Sequence, residues 1–237
     1  MVAQVTALAT VDAEGKTTRD VNAAIRQALA GGAREVHVEH PAGRHSLAVA
    51  LRTDAKVVFE GSTGWYTAGM NTGAHVVVMG NAGWGLGECM MGGRIEVHGQ
   101  AGSGVAASIR GGIVYVAGDT AARAGIAMKG GALVVGGSVG YMSGFMMQRG
   151  TIVVCGDAAD GLGDSMYEGT IFVGGSVASR GADAVVEEVT DEDRAMLKEL
   201  LGQFDIDAGA FDFTKVLSGR KLWNFSTKEP ELWKSAL

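Results

Sequence analysis

Proline is almost missing from this chain: 2 prolines stand against 38 glycines in 237 residues. A collagen-like triple helix needs glycine together with abundant proline, so the glycine serves another architecture. Cysteine is scarce as well. Cys89 and Cys155 cannot supply the four thiolates of an iron–sulfur cluster. They also lack the paired spacing of a structural zinc site, and so few thiols fit a reducing compartment rather than a disulfide framework. No apolar run approaches the ~20 residues that a membrane-spanning helix needs. Excess positive charge is missing too. The net charge is −6 and the pI about 5.4, which argues against nonspecific binding to nucleic acid or to an anionic membrane. The opening stretch MVAQVTALATVDAEG has no basic segment ahead of an apolar one, so no signal peptide is expected and a cytoplasmic location is.

What is present is a repeat. The chain is 47% hydrophobic and 19% charged, enough apolar surface to fold, unlike a disordered glycine-rich chain. Glycine occupies positions 61, 80, 99, 118, 137, 156 and 175, always 19 residues apart. Four residues before each stands Val57, Val76, Ile95, Val114, Leu133, Ile152 or Ile171. Two residues before stands Phe59, Val78, Val97, Val116, Val135, Val154 or Val173. Apolar, mostly β-branched positions at period two predict a short strand with one face inward. The column between them is mixed: Val58, Val77, Glu96, Tyr115, Val134, Val153, Phe172. Ten residues after the glycine, Asn71, Met90, Ile109, Met128, Met147 and Met166 form a second inward wall. Seven after it, Ala68, Gly87, Ala106, Gly125, Gly144, Gly163 and Ala182 form a column of small residues that permits close approach or a positive φ.

A 19-residue unit cannot bury its own apolar face, but stacked units can. The expectation is a mainly β fold, a right-handed β-helix or solenoid with 19-residue rungs and short helical caps at both ends. Its parts are an N-terminal cap with a helix and an irregular first rung over 1–54, the repeat over 55–186, and a helix with an extended arm over 187–237. The glycines of GNAGWGLGECMMGG, residues 80–93, then belong to the repeat. A dinucleotide-binding GxGxxG must open a helix, whereas here the next element is the strand Ile95–Val97.

The ends read differently. Val21, Ile25 and Leu29 within TTRDVNAAIRQALA predict an amphipathic helix over 17–30, stopped at Gly31-Gly32. REVHVEH predicts a strand with Val36 and Val38 on one face. TDEDRAMLKELLGQF opens with Thr190 and Asp193 at capping-box spacing, carries Met196, Leu197, Leu200 and Leu201 as its stripe, and stops at Gly202. The remaining stretch holds Phe211, Phe213, Leu222, Trp223, Phe225 and Trp233. It is either a strap over the solenoid or an arm over a partner.

No catalytic set emerges. Cys89 and Cys155 stand in different columns, so no disulfide is expected, and burial as small apolar residues is the expectation for both. His37, His40, His45, His75 and His98 are scattered, which fits solvated or edge-paired imidazoles better than ligands or a triad. Asp157, Asp160 and Asp164 could gather on one rung, though aspartate also favours turns. Trp65, Trp84 and Tyr141 share one outward register, four after the glycine. They are a contact stripe, a ligand platform or a ladder covered by the surface.

The wording of the repeat carries a resemblance. GWYTAGMNTGAHVVVMGNAGWGLGECMMGG and AGIAMKGGALVVGGSVGYMSGFMMQRGTIVVCGDAADGLGDSMYEGTIFVGG resemble the GXGXG domain, the C-terminal β-helix of glutamate synthases. With PAGRHSLAVAL, SRGADAVVEE and RKLWNF in this order, nearly the whole chain is most similar to the stand-alone form of that domain, found in N-methylglutamate synthase and related three-part systems. The resemblance implies a scaffold subunit of an enzyme complex that converts methylamine and glutamate to N-methylglutamate and ammonia. Its implied partners are a class II glutamine-amidotransferase-like subunit and a synthase-like subunit holding FMN and an iron–sulfur cluster. No cofactor is implied for this chain. The sequence begins Met1-Val2-Ala3 rather than with the amidotransferase's N-terminal cysteine, so no catalytic, cofactor-binding or metal residue carries over. Three alternatives remain. One is the subunit of a formylmethanofuran dehydrogenase or formyltransferase–hydrolase complex that shares this fold. The others are a stand-alone structural solenoid, and a flavin or nucleotide binder.

Overall fold

The structure, a computed structural model, describes residues 8–222. Period-two apolar columns become strands as expected: β1 (Leu8–Asp12), β2 (Glu35–Glu39), β3 (Lys56–Phe59), β4 (His75–Val78), β5 (Arg94–Val97), β6 (Ile113–Val116), β7 (Lys129–Val135), β8 (Arg149–Val154) and β9 (Thr170–Val173). Each pairs in parallel with the next. From β3 onward the register joins residues 19 apart in the repeat: Val57 faces Val76, Val76 faces Ile95, and Ile95 faces Val114. The chain is a mainly β solenoid. REVHVEH is indeed a rung, β2, with Val36 opposite Val57 and Val38 opposite Phe59. β1 is a further rung that the sequence did not reveal. It precedes the helix, outside the 19-residue spacing, and pairs with β2. A second parallel ladder runs through Ala82, Ala101, Thr120, Val139, Ala158 and Val177, two residues after each glycine.

Both inward walls are buried. Val76, Ile95, Val97, Val116, Ile152 and Val173 are fully buried, as are Met90, Ile109, Met128 and Met147 opposite them. Long unbranched methionines suit that wall because they fill gaps between β-branched neighbours. Asn71 is the exception, a fully buried amide in the methionine column. Its Oδ1 accepts the Leu51 N–H at 2.7 Å. The first turn is one residue out of the 19-residue spacing, since Leu51 precedes Asn71 by 20 positions, and the amide makes good the hydrogen bond that this irregularity leaves open.

Between the two walls the backbone repeatedly enters the left-handed region. Positions five, seven and nine after the glycine all have positive φ, as in Tyr66, Ala68 and Met70, in Gly85, Gly87 and Cys89, and in Met142, Gly144 and Met146. The alternation sends successive N–H groups to opposite neighbours. Gly85 and Cys89 donate forward to Ser103 and Ala107, while Gly87 donates back to Thr67. Each turn is thereby bonded to the rung before and the rung after.

Helix α1 (Thr18–Ala30) begins with a capping box between Thr17 and Asp20 and buries Val21 and Ile25 in the main core beside β1 and β2. Its Asn22 amide reaches the first turn, donating to Ser46 O and accepting from Ala48 N. Helix α2 (Asp191–Gly202) has the expected Thr190–Asp193 capping box. Its stripe, however, lies against the outward face of the sheet. Leu197, Leu200 and Leu201 form a second core with Val134, Val153, Cys155, Phe172 and Phe213. The later members of the mixed column, Tyr115, Val134, Val153 and Phe172, are the floor of this second core. The end of the ladder is covered instead by β11 (Thr214–Ser218), which pairs antiparallel with β9 on one side and with β10 (Ala184–Glu187) on the other. Phe211 and Phe213 therefore belong to a strap; Trp223, Phe225 and Trp233 lie outside the described residues. The one sheet continues across positions 54/55 and 186/187.

Val97→Asp is expected to lose about 3–5 kcal/mol, the order for a buried charge without a partner. Met128→Ala is expected to lose about 2–5 kcal/mol through the cavity it leaves. Urea unfolding of both variants checks this, and unchanged midpoints would remove these residues from the inward walls.

Candidate functional site

The three glycine amides of the GxGxG stretch are all engaged by neighbouring rungs rather than turned toward a phosphate. Gly83 donates to Thr63, Gly85 to Ser103 and Gly87 to Thr67. Only Gly85 and Gly87 need a positive φ. Gly83 has a different constraint: a Cβ there would lie 2.6 Å from Gly64 C and 2.7 Å from Trp65 Cδ1. The glycine lets a tryptophan lie flat over the following rung.

That tryptophan opens the most exposed apolar surface of the turns. Trp65 stacks on Trp84 with ring centroids 5.4 Å apart, and His45 stacks on Trp65 at 4.5 Å. His45 Nδ1 accepts the Trp65 backbone N–H at 2.9 Å, which fixes the ring. The sequence hid His45 because it precedes Trp65 by 20 residues instead of 19. Trp65 is 46% exposed, Trp84 57% and Tyr141 54%, so the aromatic register is open to solvent. Tyr66, Met70, Met91 and Met146 are exposed in neighbouring outward columns. Cys89 is exposed as well, contrary to the expectation of burial, because its position nine after the glycine points away from both inward walls.

The other singled-out groups are used locally. Asp157 Oδ1 accepts from the N–H and the hydroxyl of Ser176, and these hold its carboxyl below the ordinary range. Asp160 accepts from Ser179 Oγ, and Asp164 from Ser165 Oγ and Ala182 N. The three are turn residues that secure the last rungs. Asp157 ends a longer ladder: Ser62, Asn81, Asp119 and Ser138 each accept the N–H of the equivalent residue one rung on. His75 pairs with Glu96, which also binds Arg94. Burial pushes the Glu96 carboxyl up, but Arg94 and His75 outweigh it. The Arg94 guanidinium lies 4.3 Å over the Phe204 ring, and Tyr115 stacks on the same ring at 4.2 Å. This is the fastening of the strap.

At the N-terminal end His37 sits between Glu35 and Glu60, and Glu35 chiefly raises its pKa. His40 pairs with Asp12, which raises the imidazole likewise. Asp12, Glu14 and His40 hold possible ligand atoms within 4.8 Å of one another, all exposed. Asp12 is already engaged by His40 and by the Glu14 N–H, so this carboxylate is spent on local hydrogen bonds. An open groove of about 530 Å³ is lined by Leu8, Thr10, His37, Glu39, His40 and Glu60, and its imidazoles are paired with Glu35, Glu60 and Asp12. A second, of about 610 Å³, lies beside Tyr167, Glu168, Thr170, Glu187, Ser218 and Lys221.

The fold and this surface define a class, the β-solenoid with an exposed aromatic face. No family model and no curated protein matches the chain. Among the described residues no helix is long and apolar enough to cross a membrane.

Gly83→Ala is expected to destabilise more than Gly87→Ala, although only Gly87 has a positive φ. The first meets backbone at 2.6 Å and the second meets the terminal methyl of the Ile95 side chain at 2.9 Å. The left-handed penalty at Gly87 is about 1–2 kcal/mol, and Gly83 should exceed it; the reverse order of unfolding midpoints would refute the stacking argument. Burial pushes the Cys155 thiol up to about 11. An unfolded thiol ionises near ~8.5, so between those values the unfolded state has lost a proton that the folded state keeps, and stability falls as pH rises. Replacing Cys155 by Ala should flatten that alkaline decline, and an unchanged pH–stability curve would assign it elsewhere.

Proposed function

We propose that this chain is the non-catalytic scaffold subunit of a glutamate-synthase-like complex of the N-methylglutamate synthase type. The single observation that carries the reading is how the chain spends its polar groups. The glycine amides of the GxGxG stretch, the three aspartates of the last rungs and the paired histidines are engaged in holding rungs and strap together. What stays open is an aromatic and methionine surface, suited to contact rather than to chemistry. The resemblance to the GXGXG domain supplies the complex. On that reading FMN and an iron–sulfur cluster reside in a synthase-like partner and glutamine-type chemistry in an amidotransferase-like one. The solenoid holds the two in register while methylamine and glutamate become N-methylglutamate and ammonia.

Native mass spectrometry of the chain purified gently from its own cells tests this. The expected result is a heteromer containing a flavoprotein and an amidotransferase-like subunit, with methylamine-dependent turnover that the isolated chain lacks. Recovery with formyl-transferring companions, or as the chain alone, would overturn the assignment and leave the solenoid.

A further inference from the structure

The exposed aromatic face has a chemical complement written beside it. Going along the solenoid, Trp65, Tyr66 and Met70 occupy one rung, Trp84 and Met91 the next, and Tyr141 and Met146 a later one, all exposed. Between Trp84 and Tyr141 the same register holds only Ser103 and Ala122. With rungs ~4.8 Å apart, the two aromatics stand three rungs, about 14 Å, apart with only small residues between them in that register, a gap we read as a recess. Gly104 lies in it, and a Cβ there would meet nothing within 4 Å.

Cations stand in these same rungs. Arg110 and Lys129 are equivalent residues of adjacent turns, eleven after their glycines, and Arg123 lies between them in sequence at a left-handed position. Arg110 and Arg123 are exposed and Lys129 is half-buried. Lys129 is in turn the register partner of Arg149, which reaches Glu168 at 3.6 Å. Arg110, Arg123 and Lys129 form no ion pair and donate no side-chain hydrogen bond among the described residues. Stacking like charges on neighbouring rungs disfavours the fold, and this chain, with a net charge of −6, has acids to spare elsewhere. Before the last rungs, positions four to eleven after each repeat glycine carry one carboxylate, Glu88. Asp160 and Asp164, which follow it in the last rungs, are taken by Ser179, Ser165 and Ala182.

We infer that this face is the docking surface for a protein partner that presents apolar anchors bordered by carboxylates. The anchors fill the recess between Trp84 and Tyr141, and the carboxylates neutralise Arg110, Arg123 and Lys129. Large aromatic and methionine contacts with a charged rim are the usual anatomy of such an interface. A second copy of this chain is a poor occupant. A twofold contact through this face would bring the same three cations from both sides. The inference rests on the scaffold reading for the existence of a partner, but not for its identity.

The test uses the assembly isolated from its own cells and the purified chain alone, both exposed to hydroxyl radicals and then mapped by mass spectrometry. Trp84, Tyr141, Met91 and Met146 should be oxidised several-fold more slowly in the assembly. Met79, exposed at the corner after β4 and outside this face, should not change. A zero-length carbodiimide crosslink should join the Lys129 amine to a partner carboxylate, with loss of water. Arg110→Glu combined with Lys129→Glu should lower recovery of the assembly about tenfold. A melting curve matching that of the unaltered chain separates this loss from misfolding. Assembly with equal oxidation of Trp84 and Met91 in both samples would overturn the docking surface and leave the scaffold reading standing. Protection by a partner that is neither a flavoprotein nor amidotransferase-like would keep the surface and overturn that reading. A monomer, or a self-assembly alone, would overturn the surface.

Discussion

Everything in this solenoid depends on the sign of φ at three positions of each turn. If residues five, seven and nine after the glycine held ordinary right-handed values, successive N–H groups would not alternate between the preceding and the following rung. The left-handed region costs most side chains about 1–2 kcal/mol per residue. Yet Tyr66, Arg123, Met142 and Met146 accept it alongside Gly85 and Gly163. Such strain persists where the surroundings over-determine it, and here the surroundings are identical turns stacked on either side. Each strained residue is held by hydrogen bonds such as Tyr66 N–H to Trp84 O and Met142 N–H to Asp160 O, at 2.7 and 2.9 Å. The two inward walls of valine, isoleucine and methionine then fill the space that the turns enclose.

Much of this was legible in the amino-acid order because the repeat is strict. A fixed interval places Val76, Ile95 and Val114 side by side, and the observed register agrees residue for residue. The legibility stopped where the interval did. β1 lies ahead of a helix, and His45 precedes Trp65 by one residue more than the repeat, so neither could be assigned from periodicity. Asn71, which looked like a lapse in the methionine column, is the residue that accommodates this irregularity through Leu51.

The outward face of the sheet shows a second limit. Val134, Val153 and Phe172 signalled that part of the mixed column is apolar, but the repeat says nothing about what covers it. Helix α2 and the strap do, fastened through Phe204 between Arg94 and Tyr115. The aromatic face across the turns has the same kind of columnar logic. Trp65 and Trp84 were readable as a register, whereas their exposure and their stacking with His45 required the three-dimensional arrangement. The aspartates are the converse case. They looked like a possible acidic cluster, and each proves to hold a hydrogen bond across or within a turn.

The side-chain ladder from Ser62 to Asp157 has a direction. Ser62, Asn81, Asp119, Ser138 and Asp157 each accept from the residue one rung later, with a break at Gln100, so the bonds all point the same way along the stack. Parallel strands behave alike, because the edge of β9 offers the same pattern that β8 offered to it. Left bare, that end would be a template for another chain's first rung, and the solenoid would polymerise head to tail. β11 breaks the propagation by arriving in the opposite sense. The edge it leaves is antiparallel, four residues long at β10, and closes on the exposed Glu187 and Glu188. Short edges bearing charge resist further pairing. Among the described residues, the stack is therefore ended by a reversal of polarity in β11, and not by the repeat itself.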